Sequence, residues 1–112
     1  MINKQLLEEV LGISIKSIAT RFEDDLLLYR RVGGRHTTIS SFKLQHLCKN
    51  WALTKDYMIS SRYIFDYKQY RAIPYHQVDT GEYADITGIC TADEEHDAVF
   101  KVCEWLLILN LN

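Results

Sequence analysis

Between Ser40 and Ala52 the apolar residues Leu44, Leu47, Cys48, Trp51 and Ala52 recur at the spacing i, i+3, i+4, i+7 and i+8, which places them on one face of an α-helix. A face of that kind has to be buried against another layer, and Ser40 or Ser41 can cap the helix that carries it. On either side the period changes from helical to alternating. Upstream, residues 13–22 and 26–32 read as strands with Glu23-Asp24-Asp25 as the turn, and Gly33-Gly34 suits a two-residue hairpin into a third strand over 35–39. Downstream, residues 57–66, 71–78 and 83–90 read as three more strands, broken near residues 67–69 and at Asp79-Thr80-Gly81. Pro74 lies inside the middle one. Proline donates nothing to a ladder, so that strand is expected at an edge, at a bulge or partly in a loop.

Two further helices close the pattern. Leu6, Leu7, Val10 and Leu11 follow Asn3 as N-cap, with Ile2 able to staple onto Leu7 and Gly12 as the stop. The last helix is expected over residues 93–109, opened by the capping box Thr91-Ala92-Asp93-Glu94, with Asp93, Glu94, Glu95 and Asp97 at the positive end of its dipole. The order α-βββ-α-βββ-α in a single domain over residues 1–112 implies an α+β fold, an antiparallel sheet with helices packed on one face.

Composition agrees with a self-sufficient core. At 112 residues, 47% of them hydrophobic, the chain can bury enough surface to fold without a metal or disulfide, and no cofactor is implied. The longest apolar run, Trp105-Leu106-Leu107-Ile108-Leu109, is far short of a membrane span, and Asn3-Lys4-Gln5 is no signal peptide. The protein is expected in the cytoplasm, away from membranes, with Cys48, Cys90 and Cys103 as reduced thiols. The apolar end of the last helix has to be covered by the chain's own sheet and first helix or by a second copy, so monomer and homodimer both stand.

Charge is segregated along the chain. Residues 26–55 carry Arg30, Arg31, Arg35, Lys43, Lys49 and Lys55 and no carboxylate, whereas residues 77–112 carry eight acids and one lysine. Six of the seven tyrosines fall between residues 57 and 83, interleaved with Arg62, Lys68, Arg71 and His76. Tyrosine and arginine dominate protein–protein hot spots, and they equally stack on bases and track phosphates. Half-buried strands also favour tyrosine without any ligand. A double-stranded-RNA-binding reading of residues 40–110 fails on its last helix, whose first turn is acidic where phosphates need lysines.

The phosphate-cradle, zinc-hydrolase, serine-hydrolase and redox motifs are all missing, so the chain reads as non-enzymatic. His96 beside Asp93, Glu94 and Asp97 is the best local candidate for a metal or acid–base site, and a helix cap explains the same residues without a ligand. The segments Phe42-Lys43-Leu44-Gln45-His46-Leu47-Cys48-Lys49-Asn50-Trp51-Ala52, Thr91-Ala92-Asp93-Glu94-Glu95 and Ala98-Val99-Phe100-Lys101-Val102-Cys103-Glu104-Trp105-Leu106 resemble a group of small uncharacterised proteins encoded in bacteriophage and prophage genomes. That resemblance implies an accessory factor that acts by binding a host or competitor protein, as inhibitors of defence systems do. The expected partner is therefore a protein, contacted by Arg30, Arg31, Arg35, Arg62, Tyr63, Tyr67, Tyr70 and Arg71. The alternative is a nucleic acid held by residues 26–55 and the tyrosine-rich strands.

Overall fold

The computed structural model describes residues 2–19 and 25–111. Its elements are α1 (Lys4–Leu11), β1 (Ile15–Ile18), β2 (Leu26–Arg31), β3 (His36–Ser40), α2 (Ser41–Leu53), β4 (Tyr57–Ile64), β5 (Gln69–Val78), β6 (Gly81–Ala84), a 3-10 turn (Ile86–Gly88), β7 (Cys90–Ala92) and α3 (Glu95–Leu111). The α+β class stands, the first five elements follow the expected α-βββ-α order, and every strand pair is antiparallel. The strands divide into two sheets: β1-β2-β3, and β4-β5-β6 with β7 added to β5. β1-β2-β3 and β4-β5-β6 are meanders of neighbouring strands, β7 returns to pair with β5 beside β6, and α2 separates the two sheets along the chain.

Local signals set the helix ends. Asn3 Oδ1 accepts from the Leu6 N–H at 2.7 Å, and Gly12 ends α1 at φ +68°, its N–H donating to the Glu8 carbonyl at 2.8 Å. Ser40 Oγ caps α2 by accepting from the Lys43 N–H at 3.1 Å. The apolar faces of α2 and α3 meet over the second sheet. Leu44, Cys48, Trp51 and Ala52 join Val99, Phe100, Val102, Cys103 and Leu106 in one buried cluster with Ile59, Ala72 and Ala92 of the strands. The first sheet adds Ile15, Leu27 and Ile39 to the same core, and α1 adds Leu6 and Leu7.

Several boundaries differ from expectation for identifiable reasons. The turn at Glu23-Asp24-Asp25 falls mostly outside the described residues, and β1 ends at Ile18 after a bulge between Ile15 and Ser17. The loop between β2 and β3 is longer than Gly33-Gly34. Its turn is closed by the Gly34 N–H on the Arg31 carbonyl at 3.1 Å, and only Gly33 takes a positive φ, of +74°. Thr91 is not a helix cap. It lies in β7, and α3 begins two residues later than expected, at Glu95. On this helix Leu106 and Leu107 are buried, while Ile108 and Leu109 are exposed.

Pro74 sits in the middle of β5, the central strand of its sheet, rather than at an edge. Its carbonyl accepts from the Asp85 N–H at 2.8 Å, so residue 74 turns its main-chain polar groups away from β4. On that side β6 pairs with residues 75–78 and β7 with residues 70–72. Residue 74 faces the gap between them, occupied by the 3-10 turn, where no ladder donor is needed. The expected strand over residues 83–90 is accordingly split in two. Gly88 fills the gap between the Trp105 ring and Pro74 and has no room for a side chain. A Cβ there would lie 2.6 Å from Cε3 and Cζ3 of Trp105 and 2.8 Å from Cγ of Pro74. Gly88→Ala is therefore expected to cost about 1–3 kcal/mol, read as a lower urea midpoint at unchanged slope.

Candidate functional site

The β4–β5 hairpin pairs one to one from Tyr57 with His76 to Ile64 with Gln69. Alternation puts Tyr57, Ile59, Ser61 and Tyr63 on the inner face with Tyr70, Ala72, Pro74 and His76, and Met58, Ser60, Arg62 and Ile64 on the outer face with Gln69, Arg71, Ile73 and Tyr75. The helical cover ends at Ser61. Its hydroxyl donates to Oε2 of Glu95, the first residue of α3, at 2.9 Å and accepts from Lys49 Nζ of α2 at 2.9 Å. One rung further out, Tyr63 and Tyr70 oppose each other with ring centroids 5.2 Å apart at 70°.

The tip that follows is a tight turn. The Tyr67 N–H donates to the Ile64 carbonyl and the Lys68 N–H to the Phe65 carbonyl, both at 3.3 Å, and Lys68 takes φ +53°. The turn holds two rings out in solvent: Phe65 is 83% exposed and Tyr67 is 66% exposed. Phe65 meets Tyr63 edge to face at 5.1 Å, and the Arg71 guanidinium lies 5.7 Å from the Tyr67 ring centre. Arg62, Tyr63, Ile64, Phe65 and Asp66 line an open depression of about 280 Å³ beside them.

Of the eight expected contact residues, five share this hairpin, with Tyr63 and Tyr70 on its inner face, Arg62 and Arg71 on its outer face and Tyr67 in its turn. Arg62 and Arg71 are directly opposed on its outer face. Arg30, Arg31 and Arg35 belong to the β2–β3 hairpin of the other sheet, so the eight do not form one patch. Arg30 Nε is held locally by the Gly34 carbonyl at 3.2 Å. The acid-free stretch is also dispersed: Lys49 turns to Ser61, and Lys55 Nζ lies over the Trp51 ring at 5.9 Å. Phe65 was absent from the expected set, although a large apolar ring in a turn, where solvation favours small polar residues, is a readable signal.

A second constellation gathers at the opposite end of the hairpin. Tyr57 and His76 stack at 4.5 Å and 9°, and Trp105 meets the Tyr57 ring edge-on at 5.8 Å. His76 Nδ1 lies 2.9 Å from the Tyr83 hydroxyl. Asp85 accepts from the Tyr57 hydroxyl at 3.4 Å and from Thr87 Oγ1 at 2.8 Å, so its carboxylate is directed at these hydroxyls and not at His76. Burial first, and the Asp85 carboxylate second, push the Tyr57 phenol above its ordinary range. At the start of α3, His96 Nε2 lies 3.6 Å from Asp97 Oδ1. Among the described residues no three His, Cys, Asp or Glu side chains are grouped to hold a metal ion.

The cysteines pack as small apolar residues. Cys48 and Cys103 are fully buried, with Cys103 Sγ 3.6 Å from the Cys48 carbonyl. Contact with Cys48, then burial, pushes the Cys103 thiol up, and burial pushes up the Cys90 thiol. Among the described residues no helix is long and apolar enough to cross a membrane. No family model matches the chain, and no curated protein or solved structure is significantly similar to it.

Folding raises the Tyr57 pKa, so the stability this group contributes is complete below pH about 10 and is lost as pH climbs through the folded-state value. The thermal midpoint of Tyr57→Phe is accordingly expected to fall less steeply above pH 10 than that of the wild type, as followed by circular dichroism.

Proposed function

We propose that this chain is a non-enzymatic binding protein that docks a protein partner through the tip of the β4–β5 hairpin. Its biological role would be the one the phage-protein resemblance implies, an accessory factor acting on a host or competitor protein. One observation carries the reading: Phe65 and Tyr67 are held in solvent by a defined turn, backed by Tyr63, Tyr70 and Arg71. Exposed rings of this size lose the benefit of burial, on the order of 1.5–3 kcal/mol for a phenylalanine, unless a partner covers them. Rigid aromatic anchors beside arginines are the composition of interface hot spots.

The test compares the wild type with Phe65→Ala/Tyr67→Ala and with Arg31→Glu/Arg35→Glu. Affinity capture from cell lysate is expected to retain the same protein on the wild type and on the β2–β3 variant. Loss on the hairpin-tip variant should correspond to a 10- to 100-fold drop in affinity, about 1.4–2.8 kcal/mol. Retention on the tip variant with loss on the β2–β3 variant would move the interface to the other sheet. In fluorescence anisotropy, binding to DNA or RNA that collapses between low and physiological salt would replace the protein partner with a nucleic acid.

A further inference from the structure

The register of β4 shows how a partner would be held there, an inference that rests on the docking role of the hairpin. The Gln77 N–H donates to the Asp56 carbonyl at 2.8 Å, which makes Tyr57 and His76 a pair without mutual main-chain bonds. Alternation then directs the main-chain groups of Met58, Ser60, Arg62 and Ile64 to β5. Those of Ile59, Ser61 and Tyr63 point the other way. Among the described residues β4 pairs with β5 alone, so these groups face no described strand. Ile59 is sheltered, at 5% exposure, whereas Ser61 is half-buried and Tyr63 is 38% exposed. The open part of the edge therefore begins at Ser61 and runs into the depression lined by residues 62–66.

Other sheet edges are blunted in the usual ways. β1 has four residues and a bulge, β3 has five residues and leads directly into α2, and β6 and β7, with four and three residues, are separated by the 3-10 turn. β4 runs eight residues in unbroken register with β5 and contains no proline.

Charge decides what fits the open edge. Arg62 projects on the outer face with Arg71 directly behind it, and among the described residues neither has a carboxylate within 4.0 Å. Like charges in directly opposed positions destabilise a sheet, and an anion beside them relieves the repulsion. On the inner side α2 carries Lys43, His46 and Lys49 and no acid, the Glu95 carboxylate of α3 is engaged by the Ser61 hydroxyl opposite Lys49, and Asp66 is the carboxylate that lines the depression, which leaves Arg62 and Arg71 on the outer face as the charges a partner meets. A second copy fits poorly. Pairing Ser61 with Tyr63 of a second copy across a two-fold axis would set Arg62 against Arg62 of that copy. We propose that the partner contributes an extended, acid-bearing segment that adds alongside β4. Its main chain bonds to Ser61 and Tyr63, a carboxylate faces Arg62, and an apolar side chain rests on Tyr63 and Phe65.

A random decapeptide library selected on the folded protein tests this directly. The expected winners alternate β-branched residues around an aspartate or glutamate. The enriched peptide, titrated into isotopically labelled protein, is expected to slow amide exchange at Ser61 and Tyr63 at least tenfold. N-methylation of every second peptide amide should abolish binding in one phase and be tolerated in the other, and Arg62→Glu should weaken binding at least tenfold. Peptides that compete with Phe65→Ala-sensitive binding yet leave both amides unprotected would overturn strand addition while leaving the docking surface intact. No enriched peptide, or peptides bound away from residues 61–71, would remove the docking reading as well. Concentration-dependent protection without peptide would assign the edge to a second copy and overturn the acidic segment.

Discussion

The contact of α2 with α3 over the inner face of the second sheet organises the rest of the molecule. Cys48 and Cys103 lie at that contact, and the 3.6 Å approach of a thiol to the opposing helix carbonyl shows why a small side chain belongs there. From this contact α3 reaches the second sheet, the 3-10 turn and α1. Trp105 presses on Gly88 and so places the 3-10 turn, and Lys101 Nζ donates to the Thr91 carbonyl at 3.0 Å. Glu104 Oε1 accepts from the Asn3 N–H at 2.9 Å, which ties the start of α1 to the same helix. Interiors packed at crystal density transmit such constraints without slack, so the position of β5 and its proline follows from the helix above it.

Length mismatch creates the candidate surface. Inner-face residues of β4 pass from buried at Tyr57 and Ile59, through half-buried at Ser61, to exposed at Tyr63. The polar relay from Lys49 through Ser61 to Glu95 marks the end of the apolar layer, because a serine with both bonds satisfied can close a core that an alanine would leave ragged. Beyond it the inner face carries Tyr63 and the half-buried Tyr70, and the turn carries the exposed Phe65 and Tyr67. The protein thereby holds Phe65 and Tyr67 in a hydrogen-bonded turn at the end of the β4–β5 ladder, and such preorganisation reduces the ordering cost of binding.

The two charge lobes of the chain meet at one point of the fold. The acid-free stretch and the acidic first turn of α3 meet at Ser61, where Lys49 and Glu95 share one hydroxyl. Arg30 bonds to a turn carbonyl and Lys55 covers a tryptophan ring. Arg62 and Arg71 stand directly opposed on the outer face of the hairpin, with the Arg71 guanidinium beside the Tyr67 ring.

Much of the local structure was legible in the sequence. Asn3, Gly12 and Ser40 act on groups within four residues of themselves, and the 3.6-residue repeat of Leu44, Cys48 and Trp51 reports a buried face whatever that face meets. The clustering of tyrosines likewise survives folding, because residues 63, 67 and 70 share one hairpin. Tertiary structure alone decided that Pro74 occupies a central strand, that the strands form two sheets, and that Arg30, Arg31 and Arg35 stand apart from Arg62 and Arg71. Periodicity along the chain fixes which way a side chain points, while strand pairing and helix cover depend on residues far away in sequence, and no local pattern carries that information.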